Sequence, residues 1–143
     1  MDHIKALDKA KIAFMSKADS AFFTTVCFSL KHIWDESIPT ACTNGTEIRY
    51  NPKFFLSMNE HERVFILVHE AMHVALLHIT RLQGRNPKKW NMAADYVINL
   101  MLVDRGFTLP KGGLLEKSYA GLSTEQVYDL IPDQQAEDYP MDI

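Results

Sequence analysis

The sequence predicts a mostly helical α+β domain. A central apolar helix packs on a second buried helix, beside an N-terminal helical region and a small β-hairpin or sheet. Three observations carry this. Residues 64–77 are apolar almost all round, as a helix in the middle of a domain must be. Residues 88–104 repeat apolar side chains at helical spacing and stop before Gly106. Asn44-Gly45 separates residues 40–43 from 46–50, both of strand character. Asn-Gly is the strongest short-range hairpin signal, because a type I′ turn needs positive φ at both central residues.

From the N-terminus, Ile4, Leu7, Ala10 and Phe14 fall on one face of a helix over 2–16. Asp19 or Ser20 can cap a second helix. It is expected to bury Phe22, Phe23, Val26, Cys27, Leu30, Ile33 and Trp34 and to end near Ser37, before Ile38-Pro39. That places His32 late on a helix. After the hairpin, Asn51-Pro52 is a stop, and Phe54, Phe55 and Leu56 begin a short helix. Asn59 followed by Glu62 reads as a capping box for the central helix, expected over 60–81. Residues 108–119 contain Pro110, Gly112 and Gly113 and read as a loop crossing the surface. Ser123 and Gln126 form a second capping box, for a last helix carrying Val127, Tyr128, Leu130 and Ile131. Residues 1–132 read as one domain, and 133–143 as an acidic, poorly ordered tail.

Net charge is −3 with acids and bases interspersed, which argues against a general nucleic-acid binder. Arg81, Arg85, Lys88 and Lys89 form one local basic cluster, read as a solvated helix end. Two cysteines, Cys27 and Cys42, are too few for a disulfide framework. No apolar N-terminal leader and no membrane-spanning run is visible, so a cytoplasmic protein without a membrane partner is expected.

The chemistry concentrates in His69-Glu70-Ala71-Met72-His73. Two histidines four apart project from one helix face and can share one metal ion. Glu70 lies about 100° round from His69, beside the metal and placed to take a proton from an activated water. This is the HExxH pattern of zinc peptidases. Chance gives such a pattern in a chain of this composition with a probability on the order of 1%, so context must decide. An apolar helix gains nothing from two histidines and a glutamate at its centre, since burying them without compensation costs several kcal/mol.

Catalytic zinc commonly takes three protein ligands and keeps one position open. Asp95 is the expected third ligand. It lies centrally on the following helix, with Asn91 and Asn99 one turn to either side, and these two are expected to support the site without ligating. The other reading of Asp95 is an acceptor that fixes a histidine ring, with Glu47, His32 or water as third ligand. His78, nine residues after His69 on the expected helix, points to the opposite face and is assigned a structural role. Tyr119, Tyr96 and His32 are candidate donors to an oxyanion. Glu47 and Ile48, on a strand expected to be exposed, are candidates for pairing with an extended substrate.

These blocks carry a resemblance. Tyr50-Asn51-Pro52, then His69-Glu70-x-x-His73 with His78 and Arg81, then Trp90-Asn91-x-Ala93-x-Asp95-Tyr96-x-Ile98-Asn99, then Tyr119-Ala120-Gly121-Leu122-Ser123-x-Glu125-x-Val127-Tyr128 together resemble the putative metallopeptidase domain of bacteria and phages. The match runs over about residues 20–131. The resemblance implies a zincin-like fold and a zinc-dependent hydrolase with ligands His69, His73 and Asp95. That domain often precedes a von Willebrand A-like domain, for which this sequence leaves no room, so a stand-alone or phage-encoded version is expected.

The expectation is therefore a zinc-dependent peptidase with Glu70 as general base and a peptide or protein as substrate. Two alternatives stand beside it: a non-catalytic, zinc-stabilised binding or scaffold protein, and a metal hydrolase acting on a non-peptide amide.

Overall fold

The computed structural model describes residues 2–15 and 20–136, without the side chains of 13–15 and 20–24. The core positions expected at Phe14, Phe22 and Phe23, and the cap at Asp19, lie outside that description. The order is α1 (His3–Met15), α2 (Ser20–Ser29), β1 (Lys31–Trp34), β2 (Ala41–Thr43), β3 (Glu47–Tyr50), α3 (Pro52–Ser57), α4 (Glu60–Ala75), α5 (Pro87–Asp104), α6 (Thr124–Leu130) and α7 (Asp133–Ala136). Short 3-10 turns at Thr80–Leu82 and Lys117–Tyr119 complete it. The fold is α+β, mostly helical, with one three-stranded sheet. No helix among the described residues is long and apolar enough to cross a membrane.

α1 buries Leu7 and Ala10 as expected, together with Ala6, whereas Ile4 is exposed. The second helix stops at Ser29, well before Ser37. The Ser29 hydroxyl bonds back to the Val26 carbonyl, and the chain then extends as β1. Ile33 and Trp34 match helical spacing, but β1 gains a parallel partner in β3, Lys31↔Glu47 through Trp34↔Tyr50. Such non-local pairing overrides a local pattern.

β2 and β3 form the antiparallel hairpin, Ala41↔Tyr50 to Thr43↔Ile48. Its turn is not type I′, because only Gly45 has positive φ. Asn44 holds it instead: its Oδ1 accepts from the backbone N–H groups of Thr46 and Glu47. The sheet order is β1-β3-β2, so β3 is the central strand and β2 an edge.

α4 starts at the expected capping box, where Asn59 and Glu62 bond each other's backbone reciprocally. Residues 67–73 are all buried, because α1, α2, β2 and α5 surround them. Burying Leu67 or Val68 stabilises the fold by about 1.5–3 kcal/mol each. The helix ends at Ala75 and does not continue to residue 81. Leu77 takes φ +55°, its N–H bonds the Val74 carbonyl at 3.0 Å, and His78 N–H bonds the His73 carbonyl at 3.1 Å. This is a Schellman cap with leucine where glycine is usual, at a conformational cost of about 1 kcal/mol. α5 is capped by Asn86 with Pro87 in the first turn. α6 begins at the Ser123–Gln126 capping box.

Among the described residues the core falls into two clusters. One joins α1, the sheet, α3 and the inner faces of α4 and α5 through Ile48, Tyr50, Phe55, Phe65 and Leu102. The other joins α5 to α6 and α7 through Met92, Tyr96, Val127 and Ile131. At the start of the segment expected as a tail, Asp133–Ala136 forms a helical turn with Ala136 buried. Residues 137–143 lie outside the described ones.

Candidate metal centre

Between the two clusters α4 and α5 put a polar group in contact. His69 and His73 come from α4, one turn apart, and Asp95 from the middle of α5, all three buried. Asp95 Oδ1 is 3.0 Å from His69 Nε2 and 3.1 Å from His73 Nε2, and the two Nε2 atoms are 3.2 Å apart. The three candidate ligand atoms all lie within 4.8 Å of one another.

Asn99, one turn beyond Asp95, donates Nδ2–H to the Leu114 carbonyl at 2.9 Å. A carbonyl only accepts, so the amide orientation is fixed and Asn99 Oδ1 faces His69 Nδ1, at 2.9 Å. Nδ1 must then carry the hydrogen, and a neutral His69 presents a bare Nε2 toward Asp95. An imidazole lone pair and a carboxylate oxygen at that separation are reconciled by a cation between them, either a proton on the ring or a metal ion. Two imidazole nitrogens and one carboxylate oxygen suit zinc and several other divalent ions. The residues therefore fit a metal.

His73 is held differently. Its Nδ1 is 3.1 Å from Nδ1 of His78, whose Nε2 is 3.0 Å from the Thr124 hydroxyl at the start of α6. His78 is fully buried, and Trp90 Nε1–H donates to its carbonyl at 2.7 Å. The expected opposite-face position of His78 is thus corrected. The helix ends before it, and the left-handed turn at Leu77 folds it back beneath His73.

Glu70 is buried and, with His69, Asp95 and Asn99, forms the polar floor of a cleft of about 260 Å³. Phe54, Phe65, Ile66, Leu109 and Leu114 give that cleft apolar walls, and Thr40, Ala41 and residues 110–113 complete its lining. A Cβ at Gly113 would lie 2.6 Å from Leu109 Cδ1, so a larger residue there displaces the Leu109 side chain. The loop expected to cross the surface thus also lines the cleft, and Gly113 is its point of close approach.

Other expected site residues lie elsewhere. Asn91 is fully buried one turn before Asp95. Glu47 and Ile48 are not on an exposed strand: β3 is paired on both sides, Ile48 is buried, and Glu47 is ion-paired with Arg49 at 2.8 Å. Tyr119 packs edge-on against Tyr96 and lines a separate groove with Val97 and Met101. Tyr96 accepts from Gln135, and burial pushes its phenol pKa up. His32 donates Nε2–H to the Cys27 carbonyl and accepts from the Tyr50 hydroxyl, so both ring nitrogens are engaged. Burial lowers its pKa and raises that of Tyr50 well above the usual value. None of these three oxyanion candidates lines the cleft.

No curated protein and no solved structure matches the chain. The sequence profile of a family described as a putative metallopeptidase domain matches residues 2–140, nearly the whole chain. The chain belongs to that putative metallopeptidase domain family.

Proposed function

We propose that this domain is a zinc-dependent peptidase of zincin-like architecture, with His69, His73 and Asp95 as ligands and Glu70 as general base. The observation that carries the reading is the convergence of three metal-ligating atoms on the floor of an apolar cleft, with Glu70 beside them. A divalent metal held there supplies Lewis acidity, polarising a carbonyl and lowering the pKa of water. Glu70 takes the proton of the attacking water and returns it to the leaving amine nitrogen. The cleft walls seat an apolar side chain and exclude bulk water.

The β2 edge is the place for an extended substrate, in the role first expected of β3. Asn51 N–H bonds the Thr40 carbonyl and Asn44 N–H bonds the Glu47 carbonyl. Antiparallel alternation then makes Cys42↔Arg49 the hydrogen-bonded pair between them, and directs the backbone groups of Ala41 and Thr43 away from β3. Ala41 and Thr43 are only 4% and 3% exposed, so an extended peptide meets this edge at Thr40 and Ala41, where it lines the cleft. Among the described residues the metal-capable cluster has three members, the number typical of a catalytic site that keeps one position open.

The test is Glu70→Gln. Zinc stoichiometry stays at the wild-type level, while cleavage of a library of end-blocked peptides with apolar side chains falls by about 10²–10⁴-fold. Wild-type turnover in that variant rejects the mechanism.

A further inference from the structure

We infer that His78 and Thr124 are positioning residues for His73, forming a chain that sets which ring nitrogen of His73 faces Asp95 without its hydrogen. The inference rests on the metal-hydrolase reading above and adds to it two residues outside the ligand set.

The chain runs Thr124 Oγ1, His78 Nε2, His78 Nδ1, His73 Nδ1, with contacts of 3.0 and 3.1 Å, and His73, His78 and Thr124 are all buried. A neutral imidazole has one N–H and one bare nitrogen, so the contacts are linked. When Thr124 Oγ1 accepts from His78 Nε2–H, His78 Nδ1 is bare and must accept from His73 Nδ1–H. His73 Nε2 is then bare and directed at the position shared with His69 and Asp95. In the reversed arrangement Thr124 donates to His78, His78 Nδ1–H donates to His73, and His73 Nε2–H donates to Asp95 Oδ1, 3.1 Å away. The hydroxyl, which can donate or accept, allows both arrangements. Metal ligation selects the first, in which the outer partner holds the hydrogen on the far side of the ring.

A second, independent feature places His78 there. Leu77 is held in the left-handed region with its side chain exposed, so no packing of that side chain explains the conformation. Its result is to turn His78 inward, with His78 N–H bonded to the carbonyl of His73 itself. Backbone strain of this kind gathers at sites where geometry matters. The Trp90 indole, bonded to the His78 carbonyl, fixes the other end of the residue.

The experiment uses the full chain loaded with zinc, with affinity read by competition against a chromophoric chelator and coordination read from the visible spectrum of the cobalt(II) form. Thr124→Val removes the hydroxyl at nearly constant volume. It is expected to fold, to bind zinc about tenfold more weakly and to shift the cobalt spectrum, and Thr124→Ser is expected to restore both. His78→Phe is expected to weaken zinc about 10–100-fold. Folded Thr124→Val with wild-type zinc affinity and an unchanged cobalt spectrum overturns the inference, whether or not His78→Phe folds. A wild-type chain that takes up no zinc overturns the metal-hydrolase reading beneath it. Wild-type uptake with indifferent variants leaves that reading standing and removes only this one.

Discussion

His69 and His73 stand one helical turn apart and aim Nε2 at the same carboxylate oxygen, yet their rings are held by opposite means. Behind His69 is an amide whose orientation is dictated by the Leu114 carbonyl, so the hydrogen on Nδ1 has one possible place. Behind His73 is a second imidazole backed by a hydroxyl, and both of these can donate or accept. One ligand is locked and the other is reversible. Two identical side chains on one helix face thus acquire different properties from residues on α5 and α6, and ligand identity alone does not describe the centre.

The strongest way to break this contrast is at Asn99. Asn99→Leu leaves His69 Nδ1 and the Leu114 carbonyl without their partner. It should weaken zinc by about 10–100-fold and lower stability by about 1–3 kcal/mol, read by chelator competition and thermal unfolding. Asn99→Asp sharpens the contrast: it keeps the acceptor for His69 but loses the donor to Leu114. Zinc affinity should survive while the loop above the cleft loosens, visible as faster amide exchange over residues 109–114. Equal losses of zinc affinity in both variants would show that Asn99 serves only to hold the loop.

A smaller effect is expected on the reversible side. Leu77→Gly relieves the left-handed strain at an exposed position and should raise the unfolding free energy by about 0.5–1 kcal/mol. Unchanged or lower stability would mean that the Leu77 side chain contributes more than its exposure indicates.

The smallest effect concerns a third histidine. His32 is pinned like His69, with Nε2–H on the Cys27 carbonyl, and burial depresses its pKa below the ordinary 6.5. The unfolded chain therefore takes up a proton that the folded one refuses. The stability His32 contributes is present above pH 6.5 and fades as the pH falls toward its folded pKa. Proton NMR of its ring should show titration below 6.5, and titration at or above that value contradicts the assignment.

How far the sequence could be read follows from the range of each interaction. The HExxH spacing and the two capping boxes act within one or two helical turns, and the Asn91, Asp95, Asn99 line showed which face of α5 carries polar groups. β1 was hidden because Ile33 and Trp34 satisfy a helical pattern, and only β3, sixteen residues on, makes them a strand. The edge was assigned to β3 instead of β2 because strand order is a property of the whole sheet. His78 was placed on the wrong face because leucine gives no warning of a left-handed turn. The pairing of Asn99 with His69 needed the crossing of two helices, which spacing along one helix cannot supply.

The two cysteines are both free, and their surroundings differ. Cys27 is fully buried with its thiol pushed up to about 11 by that burial, while Cys42 is partly exposed on β2. Because the thiolate is the reacting form, an alkylating reagent at neutral pH discriminates between them. The fold thus provides a native labelling handle on the strand proposed to receive substrate. A fluorophore there would sit beside Ala41, on the sheet face turned away from the cleft, in the otherwise unaltered chain.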